Sequence, residues 1–101
     1  MRGREEYTIY YTWQSEDPVK QPFAVPYPML YDLFVNRWTS NGGGDKVWIF
    51  GVDGDNWSPI CIGYPHPTVH GLFLNVAINQ GTPDWVQWRS VKASERQRQK
   101  R

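Results

Sequence analysis

The sequence predicts an α+β protein: a small antiparallel sheet of about five strands, in the order β-α-β-β-β-β, with one amphipathic helix packed on it. Three observations carry this expectation. Short segments with strand-like apolar patterning recur along the chain. One run, residues 28–38, places apolar side chains at helical spacing. The strands after that run follow one another with no second helix between them, which favours antiparallel pairing.

The first strand is read in residues 5–14, EEYTIYYTWQ, where Tyr7, Ile9, Tyr11 and Trp13 fall on one face. The next stretch holds Pro18, Pro22, Pro26 and Pro28. Prolines at that density exclude a regular helix or a central strand, so an extended surface connection is expected. Residues 28–38, PMLYDLFVNRW, give the expected helix: Pro28 suits a first helical position, and Leu30, Leu33, Phe34, Arg37 and Trp38 share one stripe, with Asp32 and Asn36 on the opposite side. The glycines of residues 39–45 end it.

Residues 46–52, KVWIFGV, are apolar on both faces and read as a central strand. Asp53-Gly54 signals a hairpin turn, extending as far as Asn56 in its longer form. Residues 57–64 form a weaker strand, demoted toward an edge by Pro59. Residues 71–79 alternate, with Leu72, Leu74, Val76 and Ile78 on one face, and residues 85–91 make the last strand.

A chain of 101 residues, 40% hydrophobic and 21% charged, suits one folded domain. Residues 1–91 are read as that single compact, Trp-rich domain. They carry six Lys/Arg against nine Asp/Glu, whereas residues 92–101, KASERQRQKR, carry five against one. The basic character is thus confined to a C-terminal tail, expected to be flexible unless bound to a partner. A single cysteine, Cys61, excludes an internal disulfide. No apolar leader or membrane-spanning run is visible, so a cytoplasmic protein of cellular or viral origin is expected, with no membrane partner.

Residues 52–71 gather Asp53, Asp55, Cys61 and both histidines, His66 and His70. These are weak metal candidates. Residues four apart in an extended segment stand roughly 13 Å apart, too far to share an ion without a turn. A calcium loop counted from Asp53 fails at Ser58 and Tyr64, where glycine and glutamate are required. Cys61 lies between Ile60 and Ile62 in a region without Lys or Arg, and reads as a buried structural thiol. The NGGGDK run lacks the phosphate-loop pattern and precedes a strand. Ser58 or Cys61 with a histidine, and Lys46 with two histidines, have the residue types for catalysis but no supporting spacing.

These readings favour a non-enzymatic binding protein that needs no cofactor and engages a protein partner. Its contact residues are expected to be Trp57, Trp85, Trp88 and Arg89, with Arg96, Arg98, Lys100 and Arg101 of the tail. Exposed aromatics beside a basic tail are also what single-stranded nucleic-acid binding uses. The reading from another class is a small hydrolase or metal-dependent enzyme centred on His66 and His70.

Overall fold

A computed structural model describes residues 8–77 and 80–99 of the chain. Its elements are β1 (Tyr10–Ser15), β2 (Leu33–Trp38), β3 (Gly44–Phe50), β4 (Trp57–Ile60), β5 (Phe73–Val76), β6 (Pro83–Val86) and α1 (Trp88–Gln99). The fold is α+β, as expected, but the strands form two sheets instead of one: β1-β2-β3-β4 and β5-β6.

Three expectations are corrected. Residues 28–38 are not a helix. Pro28–Asp32 is a turn in which the Asp32 N–H donates to the Met29 carbonyl, and Tyr31 has a left-handed φ of 69°, which no α-helix accommodates. Leu33–Trp38 is the strand β2, with residues 33–36 all buried, so its apolar run reflects two covered faces instead of one helical stripe. Next, β1 and β2 run parallel, Tyr10 opposite Leu33 through Ser15 opposite Trp38, while the other strand pairs are antiparallel. Lastly, the helix lies at the C-terminal end. The last strand stops at Val86, and α1 takes up both the rest of the expected strand and residues 92–99 of the expected tail; Lys100 and Arg101 lie outside the described residues. The helix is rich in Arg, Gln, Ala, Lys and Glu, good helix formers, and its few apolar residues left no periodic stripe to read.

The two faces of the larger sheet bury different chemistry. One presents Leu33, Val35, Val47, Ile49 and Ile60, and Leu74 and Val76 of β5 close the core over them. The alternate β5 residues turn the other way, toward α1: Asn75 donates to Ser94 Oγ, and Phe73 meets Trp88 edge-on at 5.1 Å. Arg98 ties the helix down by donating to the Val76 carbonyl. Each fully buried Leu or Ile here is worth about 1.5–3 kcal/mol. The opposite face is aromatic. Phe34 touches Phe23, Trp48 and Trp57 with centroids 5.8–6.2 Å apart, Trp57 touches Phe50 at 5.3 Å, and Phe23 touches Trp13 at 4.8 Å. Phe23 comes from the Pro-rich connection, residues 16–32, which crosses over that face to join the parallel strands.

Parallel strands need a crossover, and the usual crossover is a helix that satisfies its own backbone. This one is extended, and two buried side chains hold it. Asn36, fully enclosed, accepts the Val19 N–H at 3.0 Å and donates to the Trp13 carbonyl at 2.9 Å and Ser15 Oγ at 3.0 Å. Asp32 accepts the Met29 N–H at 2.9 Å and the Tyr11 hydroxyl at 3.3 Å, both on Oδ2. One residue thus pins the start of the connection and the other its end.

The β2–β3 turn explains the glycine run: Gly42 and Gly43 both have left-handed φ, and a side chain on Gly44 would collide with the Trp38 indole at 2.6 Å. The Asp53-Gly54 turn joins β3 to β4, closed by Gly51 N–H to Asn56 O and Asn56 Nδ2 to Asp53 O.

Replacing Asn36 by Leu keeps the volume but removes the acceptor for Val19. Urea unfolding of Asn36→Leu will show a loss of about 1–3 kcal/mol. The Val19 amide will exchange with solvent faster than in the wild type; unchanged protection at Val19 would contradict the role given to Asn36.

Candidate functional site

The residues singled out in the sequence are scattered, except that Trp85 packs against the His66 ring. Trp57 is half-buried in the aromatic layer, and Trp85 is half-buried against the core and the His66 ring. Trp88 and Arg89 are exposed in the first turn of α1, and Arg96 is exposed farther along it. Arg98 is occupied by the Val76 carbonyl. Cys61, expected in a strand interior, lies just beyond the end of β4 and is exposed. Trp13, expected on a core face, is exposed on the edge strand, while Trp48 is buried as expected.

His66 organises its own loop. Its Nδ1 accepts the N–H groups of Thr68 and Val69, both at 3.1 Å, so the hydrogen of the neutral ring sits on Nε2. The ring lies edge-on to Trp85 at 4.6 Å and to Tyr31 at 5.9 Å. His70 is exposed on the same loop, and Asp53 and Asp55 are exposed in the β3–β4 turn. Among the described residues, no group of three or more His, Cys, Asp or Glu side chains is placed to hold a metal ion.

Two other features stand out, and neither was named in the sequence. The first is a cleft of about 400 Å³ where β1 and β2 begin. Thr8 and Ile9, Leu30–Asp32, the His66–Leu72 loop, and Asp84 and Trp85 of β6 build its walls. Asp84 Oδ1 accepts the Trp85 N–H at 2.8 Å and Thr8 Oγ1 at 3.3 Å. Among the described residues, no lysine or arginine lines the cleft, and neither Asp32 nor Asp84 has a salt bridge. The second is a display of apolar side chains on the crossover and its neighbour β1: Tyr27, Met29, Leu30 and Phe23, with Ile9 and Trp13. The turns at both ends of that display are held in left-handed backbone, at Ala24, Tyr27 and Tyr31, conformations that cost about 1–2 kcal/mol each outside glycine.

No protein-family model matches the chain, and neither do curated proteins or solved structures. Among the described residues no helix is long and apolar enough to cross a membrane.

Burial, then the negative charge of Asp32 and the hydrogen bond to it, hold the Tyr11 phenol above its ordinary pKa of 10.0. Above that value the unfolded chain gives up its proton first, so the Tyr11 contribution to stability is complete below pH 10.0 and is lost as pH rises through the raised pKa. Titration of phenolate absorbance will therefore lack one late-ionising tyrosine in Tyr11→Phe, and stability curves of that variant will fall less steeply in alkali. A late phenol that persists in Tyr11→Phe would refute the assignment.

Proposed function

We propose that the protein is a non-enzymatic binding module that engages a protein partner through the crossover connection. The observation that carries this reading is the exposure of large apolar side chains on a restrained segment: Tyr27 is 91% exposed, Met29 68% and Leu30 63%. Contiguous apolar side chains left in water are characteristic of interaction surfaces, and tyrosine is among the residue types enriched at interface hot spots. The prolines around them and the anchors at Asn36 and Asp32 restrict the segment before it binds, which lowers the ordering cost of association.

The anchoring role expected for Trp57 and Trp85 passes to the crossover in this reading, because both indoles are half-buried. The basic residues keep the steering role. Arg89 and Arg96 are exposed on α1 and accelerate encounter with an acidic partner in a salt-dependent way.

The test is affinity capture with the full chain and with a Tyr27→Ser Met29→Ser double variant, each with and without nuclease. A protein retained by the wild type, lost with the double variant and indifferent to nuclease supports the reading. With the captured partner in hand, the double variant will dissociate at least tenfold faster, about 1.4 kcal/mol of binding free energy. Capture that depends on nuclease-sensitive material would transfer the function to nucleic-acid binding, and capture unaffected by the double variant would overturn the placement on the crossover.

A further inference from the structure

The crossover reading leaves the cleft at the start of β1 and β2 unexplained, and the cleft has a chemistry of its own. Asp32 is only 3% exposed, yet it is a carboxylate with no cation beside it among the described residues. Its Oδ2 is committed to Met29 and Tyr11, while Oδ1 takes no hydrogen bond among the described residues, and the residue lines the cleft. Asp84, which is exposed, also has one oxygen in use: Oδ1 accepts from Thr8 and Trp85, and Oδ2 takes no hydrogen bond among the described residues. Burying a carboxyl group with part of its hydrogen-bonding capacity unused is costly, and Asp32 is such a group. The walls of the cleft also carry the aromatic side chains of Tyr31 and Trp85, with the His66 ring edge-on to both, and the apolar side chains of Leu30 and Leu72.

We infer that this cleft is a binding site for an organic cation, an alkylammonium group with an apolar stem. Two negative groups with a spare acceptor each would receive the N–H donors. The aromatic and aliphatic walls would take the stem, with cation–π attraction adding to it where the charge lies over a ring. The volume, about 400 Å³, is that of a small-molecule site and far exceeds what a bare ion occupies. Asp32, Asp84 and His66 all line the cleft, but among the described residues no three such side chains are placed to hold a metal ion together. No lysine or arginine among the described residues is there to meet an anion.

The experiment is a ¹H–¹⁵N NMR titration of the full chain at pH 7 with n-butylammonium chloride, with butanol and butyrate at equal concentrations as the neutral and anionic counterparts. Saturable shifts at Asp32, Asp84 and the Trp85 indole with butylammonium, weakened by added salt, are expected; butanol and butyrate will leave them in place. Asp84→Asn keeps the acceptor for Thr8 and Trp85 and will weaken butylammonium binding about threefold or more. Asp32→Asn, where it remains folded, will weaken it by about tenfold, the loss expected of one charge-assisted hydrogen bond. Asp17→Asn, an exposed residue beyond the opposite end of β1, will bind as the wild type does. Titration with N-acetyl-lysine methylamide separates two sources of the same group: tighter binding than butylammonium assigns the site to a lysine side chain, weaker binding to a free amine. Absence of saturable shifts, equal binding of butanol, or an unaltered affinity in Asp84→Asn would each overturn the inference.

Discussion

The hydrogen bonds of Asn36 are the constraint on which the arrangement depends. A parallel edge strand joined by an extended, proline-rich connection is poorly supported by its own backbone, since that connection forms no helix and joins no sheet. Asn36 supplies what is missing. Buried in β2, it reaches sideways to Trp13 and Ser15 of β1 and outward to Val19 of the connection. Its burial removes competition from water, and its geometry accepts one register of β1 against β2. Asp32 does the corresponding work four residues earlier, and between the two the connection is drawn across the aromatic face.

This economy has a functional side. The crossover is fastened at both ends but not covered along its length, so its apolar side chains remain in water on a backbone with restricted freedom. Asp32 takes part in two structures at once: its Oδ2 secures the turn into β2, and the residue also lines the cleft. Fastening the connection and shaping the cleft are therefore coupled through a single carboxylate.

Parts of this were legible in the sequence. The apolar run Val47–Phe50 announced a strand covered on both sides, and the alternation around Leu74 and Val76 announced a strand with one face in the core; both hold. The prolines announced an extended connection. Residues 28–38 misled because Leu33, Phe34, Arg37 and Trp38 satisfy a helical stripe while also forming a strand buried on both faces, and periodicity alone does not separate the two. Asn36 and Asp32 then looked like a solvent-facing side of a helix. Helix α1 was hidden for the opposite reason: it is fastened by Val91, Ser94 and Arg98 and has almost no apolar periodicity. The cleft was invisible because its carboxylates, Asp32 and Asp84, lie far apart in sequence and meet only when the second sheet packs against the first.

The parallel pairing of β1 and β2 also fixes what the covalent chain contributes. In a hairpin, a short turn keeps two strands together; here the crossover is the covalent link that keeps β1 at a high effective concentration beside β2. A single peptide-bond cleavage in the exposed part of the crossover, near Lys20 and Gln21, would separate β1 from every other element while leaving its ladder and its contacts with Asn36 formed. The protein would become a two-chain complex of an edge peptide and a receptor sheet. Its integrity would then vary with peptide concentration, and a foreign strand able to satisfy Asn36 would compete for the vacated edge.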